Sequence, residues 1–436
     1  MSDDDDLLEF IRARRWFGSK AREVSRAEVI ERAVLRESDP MLELRLVEVR
    51  FDTGTHELYQ LVASEGTFDA LDDPRHAREL VHMIRRGARV EAEDGVVELS
   101  PMSPAAAGQE LREATPVSGE QSNSSIVFDS ALILKVFRRL EAGVNPELEL
   151  LRFLTAREFE NVPRLAGWYE YSGHQLGATL GILQDYVSGA ADGWKLALDS
   201  IAGGAESFHL RLRRLGEVTA QMHNILGSDA EDPSFCAERP PTEALGLLMA
   251  TVDEEIEQAF LDLPDDPRLD PIRGRGEELR ERLRMLTNIG SVGLAIRQHG
   301  DFHLGQTLWA QDWTILDFEG EPARSIAERR RKHSPLRDVA GMVRSFAYAA
   351  SAARIIHGID TPAGWEEQAR TEFLDGYRDA VDSELVPSGP SLEKLLAVFE
   401  LEKMAYELRY ELNNRPDWVT IPVAGIVQML ESELPV

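Results

Sequence analysis

The stretch that organises the chain spans residues 296–322 and reads IRQHGDFHLGQTLWAQDWTILDFEGEP. Two apolar segments, Leu304–Leu308 and Trp313–Phe318, lie on either side of a polar turn at Ala310–Asp312. Short apolar segments joined by a polar turn are typical of a β-hairpin. The stretch therefore predicts two short strands that fold back on each other.

Such a hairpin would bring two carboxylates together, those of Asp301 and Asp317, although they lie sixteen residues apart. With Gln306 nearby, these side chains would suit a Mg²⁺ ion and a general base. The alternative is a solvated hairpin whose aspartates cap its turns. The spacing by itself leaves both interpretations open.

The charge balance narrows the class of partner. The 436 residues include 48 Lys and Arg against 77 Asp and Glu, for a net charge of −29. Such a protein repels nucleic acid and anionic membranes at long range, so we expect neither as a partner. A neutral or cationic substrate is favoured, whereas an anionic one would need local cations or a metal.

The single cysteine, Cys236, excludes an intramolecular disulfide and a cysteine-based metal site. The acidic residues Ser2–Asp6 stand where a signal peptide would need cations and then an apolar run. No stretch approaches the roughly 18 apolar residues of a membrane-spanning helix. We therefore expect a cytoplasmic protein.

The first part of the chain predicts a small domain of its own. Residues Leu7–Trp16 read as an amphipathic helix, and Asp73–Gly87 as a second helix packed on a small antiparallel sheet. The strands of that sheet are predicted at Leu42–Phe51, Leu58–Ala63 and Val96–Ser100. The Pro-, Ala- and Gly-rich segment Ser100–Thr115 follows as a linker.

The next part begins with a turn of small residues at Ser118–Ser125, between apolar strands. Lys135 lies within the strand Leu132–Phe137, where a buried ammonium needs an anionic partner or an outlet to solvent. Asn145 as N-cap and Pro146 at the first position then predict a helix, which carries Glu149. Strands follow at Trp168–Tyr171 and Gly177–Tyr186, and a hinge at 187–193.

The remainder is predicted to be helical. Apolar residues recur at helical spacing in six segments: Phe208–Leu226, Thr242–Leu261, Glu277–Leu286, Leu336–His357, Trp365–Leu385 and Leu392–Leu412. The order of these elements is typical of phosphoryl-transfer enzymes with a kinase-like scaffold: a turn before a strand with a lysine, a glutamate on a helix, a hinge, and a hairpin with two aspartates in a helical region.

In these motifs the chain resembles the maltokinase and glucosamine kinase family, within the aminoglycoside-phosphotransferase-like kinases. The resemblance covers nearly the whole chain and rests on QSNSS at 121–125, LILKVFRR at 132–139, HGDFHLGQ at 299–306, DFEGEPAR at 317–324, SPLRDVAG at 334–341 and YELRYELNNRPDW at 406–418.

The resemblance implies an α+β, bilobal, protein-kinase-like fold with an additional N-terminal α/β cap subdomain. The expected domains are a cystatin-like cap at 1–112, a nucleotide-binding N-lobe at 113–190 with its hinge at 184–190, and a helical C-lobe at 191–436. The C-lobe would carry the catalytic hairpin and a sugar site.

The resemblance also implies roles for the hairpin residues, with ATP and Mg²⁺ as cofactors. Asp301 would orient the acceptor hydroxyl and take its proton as the γ-phosphoryl group transfers. Asp317 and Gln306 would bind Mg²⁺. Glutamine stands where the wider kinase pattern has asparagine; it offers the same amide oxygen on a longer arm.

For the nucleotide, Lys135 would neutralise the phosphates and Glu149 would pair with its ammonium, with a structural ion pair as the alternative. Further phosphate contacts are implied for the hydroxyl groups of Ser122, Ser124 and Ser125. The hinge would supply backbone groups for adenine from Gln184, Tyr186 and Val187, although the Tyr186 ring could instead belong to the core.

The acceptor site is predicted on the last long helix, where Glu400, Glu407 and Glu411 are spaced seven and four residues apart and so share a face. Carboxylates beside a tryptophan suit a sugar, although such a stripe is more often solvated. The residues assigned to the substrate are Asp301, His303, Glu407, Tyr410, Glu411 and Trp418. For His303 a structural role is the alternative.

Two acceptors compete. The narrow preference is glucosamine, phosphorylated to glucosamine 6-phosphate, because an acidic field and carboxylates suit an ammonium-bearing sugar. The alternative is maltose, phosphorylated to maltose 1-phosphate. A third, remote hypothesis is a nucleotide-binding scaffold without catalytic activity. A protein kinase is disfavoured because no recognisable activation segment follows Asp317. The protein is expected to be a monomer or homodimer.

Overall fold

The fold is taken from a computed structural model, which describes residues 3–103, 111–117, 122–174, 176–204, 207–261, 263–286, 289–322 and 324–432. The chain forms two compact units, Met1–Gly189 and Ala190–Val436. Much of the predicted linker (104–110) and the first part of the small-residue turn (118–121) lie outside the described residues. Within the described residues, no helix is both long and apolar enough to cross a membrane.

The strands are β1 (Val24–Arg36), β2 (Leu42–Phe51), β3 (His56–Ala63), β4 (Arg89–Glu91), β5 (Gly95–Pro101), β6 (Ala114–Pro116), β7 (Asn123–Phe128), β8 (Leu132–Phe137), β9 (Arg139–Leu140), β10 (Leu165–Gly173), β11 (Gly177–Asp185), β12 (Ala191–Asp192), β13 (Thr307–Trp309) and β14 (Trp313–Ile315). The helices are α1 (Asp3–Ala13), α2 (Pro74–Arg85), α3 (Pro146–Ala156), α4 (Gly193–Asp199), α5 (Ser207–Leu226), α6 (Ala244–Leu261), α7 (Gly276–Met285), α8 (Ile326–Arg329), α9 (Leu336–Ile355), α10 (Trp365–Ala380), α11 (Pro390–Asn414) and α12 (Thr420–Glu431).

The first unit contains two antiparallel sheets. One has the strand order β1-β2-β3-β9 and the other β4-β5-β10-β11-β8-β7-β6. The prediction that Val96–Ser100 joins the sheet of β2 and β3 is wrong, because β5 pairs with β10 instead. The long strand β1 was not predicted.

Alternating apolar residues explain how the first unit is held together. Leu44 and Leu46 of strand β2 are buried in a hydrophobic core. The same core contains Leu80 of α2 and, from the larger sheet, Leu134 and Leu183. Both sheets combine strands from before and after residue 112. The domain boundary at that residue therefore stays a prediction.

The second unit is mainly helical and carries a small sheet of order β12-β13-β14. Its hairpin confirms the interpretation of the opening stretch, with Thr307 opposite Ile315 across β13 and β14. A short 3₁₀ turn at Leu304–Gln306 replaces the first residues of the expected strand. The fold thus sets Asp301 and Asp317 at the same end of the hairpin, one before its first strand and one after its second.

The long helices lie close to their predicted bounds, but α10 ends at Ala380, five residues earlier than expected. Helices α4 and α12 were not predicted. Helices α5 and α10 approach so closely that a Cβ at Gly216 would lie 2.1 Å from the Phe373 carbonyl oxygen. A Cβ at Gly376 would lie 2.0 Å from that of Arg213, so both contacts require glycine.

Candidate active site

The loop that carries Asp301 is fixed by its own backbone and by two histidine nitrogens. The His299 ring lies with Nε2 2.7 Å from the Leu316 carbonyl oxygen, to which it donates. Its Nδ1 then accepts from the Asp301 N–H at 3.3 Å. The two contacts require the Nε2–H tautomer of His299 and join the loop to the strand that leads to Asp317.

A buried aspartate at the start of α9 supports the same loop. Asp338 accepts hydrogen bonds from the N–H groups of His299 (2.8 Å) and Gly300 (2.9 Å), while His223 Nε2 lies 3.2 Å from its Oδ2. Burial would raise the pKa of Asp338, but the interactions with His223, His299 and Gly300 outweigh it and lower that pKa. The carboxylate is therefore a charged anchor for the turn before Asp301.

Asp317 and Gln306, the predicted metal ligands, lie together in the structure. The Gln306 Nε2 donates to Asp317 Oδ2 at 3.1 Å. Asp317 has a φ of 62°, a left-handed conformation that costs a residue other than glycine free energy and that recurs at functional sites. A carboxylate and a side-chain amide side by side are hard oxygen donors that fit Mg²⁺. Their role as metal ligands stays a prediction.

Asp301 has a cationic partner that the sequence analysis missed. Lys403 of α11 places its Nζ 2.9 Å from Asp301 Oδ1, and His303 Nε2 lies 4.0 Å from Oδ2. Burial would raise the pKa of Asp301, but the Lys403 ammonium, followed by the nearby His303, holds that pKa at about 2. Burial in turn lowers the pKa of His303, partly offset by Asp301. Asp301 is thus a carboxylate at neutral pH.

Asp301 lies in the wall of a cavity of about 440 Å³ within the second unit. A volume of this size suits a small-molecule ligand. The six residues assigned to the substrate all line it: Asp301, His303, Glu407, Tyr410, Glu411 and Trp418. Other lining residues had not been predicted: Trp194, Ser345, Tyr348, Lys403 and Arg415.

The acidic stripe of α11 divides into residues with different surroundings. Glu407 accepts from Arg344 Nη2 at 2.9 Å, and Glu411 accepts from the Tyr348 hydroxyl at 2.6 Å and from Arg415 Nε at 3.0 Å. Glu400 is not among the cavity residues and pairs with Arg370 at 2.7 Å. The solvated-face alternative is wrong for these glutamates, because all three are buried.

Aromatic rings form much of the cavity wall. Tyr348 and Trp418 are stacked with their centroids 6.4 Å apart, and Tyr406 and Tyr410 at 6.0 Å. The Arg415 guanidinium lies over the Trp418 ring, 5.0 Å from its centroid. Apolar ring faces next to carboxylates are the surroundings that a sugar needs, since its C–H faces pack and its hydroxyls hydrogen-bond.

In the first unit, Lys135 lies on β8 opposite Ser125 of β7. Its Nζ donates to Glu147 Oε2 at 2.8 Å, so the sequence analysis missed one carboxylate partner of this lysine. Glu147 lies at the start of α3, where its N–H donates to the Asn145 side chain at 2.8 Å, as expected for the predicted N-cap. Glu149 is buried on the same helix, and its pairing with Lys135 stays a prediction.

The predicted phosphate-binding serines differ in their surroundings. Ser122 is exposed, and Ser125 is buried within β7. The Ser124 hydroxyl accepts from Arg138 Nε at 2.8 Å, and Arg138 also pairs with Asp69 at 2.6 Å. Ser124 therefore has a structural contact in addition to its predicted one.

The predicted hinge, 184–190, begins within the last residues of β11. Gln184 lies opposite Ile133 of β8, and its Oε1 is buried without a hydrogen-bond partner among the described residues. The Tyr186 N–H donates to the Ala131 carbonyl at 2.8 Å, so it is not available to a nucleotide. The Tyr186 side chain is exposed and Val187 is half-buried, which makes the core alternative for Tyr186 wrong.

Two family models match this chain. Residues 113–374 match the model of the phosphotransferase enzyme family, and residues 10–66 match that of the maltokinase N-terminal cap domain. The first match spans more than half of the chain, which therefore belongs to the phosphotransferase enzyme family. The resemblance inferred from the sequence motifs is confirmed.

Among its relatives, the chain is 26% identical to the glucosamine kinase of Streptacidiphilus jiangxiensis over 342 residues, 74% of this chain and 76% of that one. It is 25% identical to the glucosamine kinase of Mycolicibacterium smegmatis over 340 residues, 74% and 82% of the two chains. The solved structure of a glucosamine kinase in complex with glucosamine, ADP and inorganic phosphate has a TM-score of 0.71 at 21% identity, covering 97% of this chain and 98% of that one. This likeness confirms the predicted kinase-like fold with its N-terminal cap.

Proposed function

We propose that the protein is an ATP- and Mg²⁺-dependent sugar kinase that converts glucosamine to glucosamine 6-phosphate. The observation that carries the proposal is the cavity that joins Asp301 to buried glutamates and stacked aromatic rings on α11. The two glucosamine kinase relatives support the choice of sugar. The expectations of a cytoplasmic location and of a monomer or homodimer remain predictions.

In the reaction, Asp301 orients the sugar hydroxyl and accepts its proton. The hydroxyl oxygen forms a bond to the γ-phosphorus, the bond from that phosphorus to the β-bridging oxygen breaks, and ADP leaves. The proton ends on the Asp301 carboxylate and then passes to solvent. A carboxylate with a pKa of about 2 is a weak base, so its main contribution is to align the hydroxyl, which suits the loose transition state of phosphoryl transfer.

The residues for the nucleotide and the metal follow from the same proposal. Asp317 and Gln306 would hold Mg²⁺, which neutralises charge on the phosphates when bound. Lys135 of the first unit would contribute a positive charge to nucleotide phosphates. The Gln184 Oε1 is buried and accepts no hydrogen bond from the part of the chain that the structure describes; this supports a nucleotide at the hinge, because a buried acceptor is normally satisfied by a donor.

The sugar ammonium would bind Glu407. Arg344 occupies one oxygen of Glu407, and the second can pair with a ligand. Both oxygens of Glu411 already accept hydrogen bonds, from Tyr348 and Arg415, so Glu411 would shape the wall and keep Tyr348 and Arg415 in place. Trp418 and Tyr410 would pack against the sugar ring.

Maltose is the second candidate, and the match of residues 10–66 to the maltokinase cap domain favours it. A neutral disaccharide would use the aromatic wall but would not need the Glu407 charge. An inactive scaffold is a weaker candidate, because Lys135, Asp301 and Asp317 retain the residue types that phosphoryl transfer requires.

The proposal is tested by measuring ADP release with glucosamine, N-acetylglucosamine, glucose and maltose at matched concentrations. We expect glucosamine to have the highest kcat/KM. N-Acetylglucosamine, which lacks the ammonium, should fall roughly 10- to 100-fold below it, because a hydrogen bond to a charged group contributes roughly 1.5–3 kcal/mol. Turnover of maltose with none of glucosamine would replace our choice by the alternative. Hydrolysis of ATP without any sugar product would refute both.

A further inference from the structure

The residue that touches the Asp301 carboxylate most closely comes from a distant part of the chain. Lys403 lies in the middle of α11, and its Nζ is 2.9 Å from Asp301 Oδ1 and 3.6 Å from Glu321 Oε1. The same atom lies over the Tyr406 ring, 4.5 Å from its centroid. The Lys403 side chain is only 16% exposed, so its charge is directed at these few groups.

Lys403 also belongs to the stripe that forms the acceptor cavity. It precedes Glu407 and Glu411 by four and eight residues, so the three side chains share one face of α11. All three line the cavity. One helix therefore carries both the carboxylates of the cavity wall and the cation beside Asp301, so their positions depend on each other.

The titratable groups that face Asp301 come from several elements. Lys403 and Tyr406 approach from α11, His299 and His303 lie on the loop of Asp301 itself, and Glu321 approaches through Lys403. Burial would raise the pKa of Asp301, and Lys403 is the largest influence that lowers it. Asp301 and Glu321 in turn outweigh the effect of burial on Lys403 and raise its pKa, so the lysine stays charged.

We propose that Lys403 is a positioning residue for phosphoryl transfer: its ammonium binds Oδ1 of Asp301, keeps the carboxylate charged and leaves Oδ2 to receive the hydroxyl proton. This inference rests on the proposed function, because it assigns Asp301 to the acceptor hydroxyl. In the reaction the proton moves from the sugar oxygen to Oδ2, and the N–H···Oδ1 hydrogen bond persists throughout. The competing explanation is an ion pair that only holds α11 against the loop.

The test is the Lys403→Met variant, and Lys394→Met is the matched control. Lys394 lies on the same helix, but it lines neither the acceptor cavity nor a second, smaller cavity that Asp301 also lines. We expect kcat to fall about 100-fold, the loss typical of a misplaced reacting group, with a smaller change in KM. We also expect the acidic limb of the pH profile of kcat/KM to move upward by roughly one to three pH units, the effect of removing an adjacent opposite charge. A loss of kcat with an unmoved limb would show a structural ion pair and overturn the proposal.

Lys403→Gln serves if the methionine variant does not fold, since it retains an N–H donor without the charge; the same upward movement is expected, and its absence refutes the proposal. A double-mutant cycle of Lys403→Met and Asp301→Asn, read by urea unfolding, needs no activity. Strong coupling between the two positions is expected for a direct contact, and additive effects would overturn the proposal; the pH profile then separates positioning of Asp301 from a structural ion pair. If the wild type phosphorylates no sugar, the proposed function fails while this cycle still reports on the pair.

Discussion

The substitution Arg344→Met tests whether the buried pair of Arg344 and Glu407 positions a carboxylate for the sugar. The Arg344 guanidinium, on α9, donates to Glu407 of α11 at 2.9 Å, and the two side chains are only 8% and 10% exposed. Gly425 leaves room for it, since a Cβ there would lie 2.8 Å from Arg344 Nη2. Arg344→Met removes the cation but retains most of the buried volume, so Glu407 is left as a buried, uncompensated charge.

Breaking a buried pair from one side destabilises a protein by about 3–5 kcal/mol. We therefore expect Arg344→Met to lower the free energy of unfolding by that amount in urea titrations at pH 7. Because Glu407 also loses the contact that orients it, the KM for glucosamine should rise about tenfold or more, equivalent to at least about 1.4 kcal/mol of binding free energy. Both changes are measured on the same preparation.

The matched control is Arg370→Met. Arg370 of α10 pairs with Glu400 of α11 at 2.7 Å, but the Arg370 side chain is 34% exposed and neither residue lines the cavity. We expect a smaller loss of stability and an unchanged KM for glucosamine. If the two variants alter KM equally, or if Arg344→Met leaves KM at the wild-type value, the assignment of Glu407 to the sugar is refuted.

Two further predictions concern other groups of the second unit. Burial and the neighbouring Glu402 raise the pKa of Glu255 from 4.5 to about 7. The protonated form therefore contributes to the free energy of unfolding; this contribution is complete below pH 4.5 and is lost as the pH rises through 7. We expect Glu255→Gln to have a free energy of unfolding up to about 3 kcal/mol higher than the wild type at pH 8, but not at pH 4.5. Urea unfolding at both values checks this, and an equal difference at the two pH values would contradict it. Asp317→Asn should raise the Mg²⁺ concentration needed for half-maximal activity at least about tenfold, whereas Asp312→Asn in the same hairpin should not; an unchanged Mg²⁺ dependence would remove Asp317 from the metal site.

Much of the fold could be predicted because its elements have strong local signals. Asn145 and Pro146 mark the start of α3, and the apolar periodicity of α5, α9 and α11 gives their positions within a few residues. Strand β1 escaped prediction because three register irregularities interrupt its pairing with β2 and its apolar alternation. The partner of β5 could not be read from the sequence either, since it lies some seventy residues further along the chain.

The candidate site was predictable to a similar degree. The residues assigned to the acceptor were identified through motifs and do line one cavity. Lys403 was not predicted although its spacing of four from Glu407 places it on the same face, because an isolated lysine on a helix is usually solvated and only the fold brings it to Asp301. Arg344 and Tyr348 lie on α9, and only the packing of α9 against α11 brings them to Glu407 and Glu411.

Phosphorylation of glucosamine through Asp301 is tested by ³¹P NMR spectra of the products formed from ATP and Mg²⁺ with glucosamine or with maltose. We predict a phosphate monoester signal of glucosamine 6-phosphate with the wild type. Asp301→Asn should reduce that signal at least about 100-fold while ATP binding, measured by calorimetry, is retained. A sugar 1-phosphate formed from maltose alone, or undiminished product from Asp301→Asn, would contradict it.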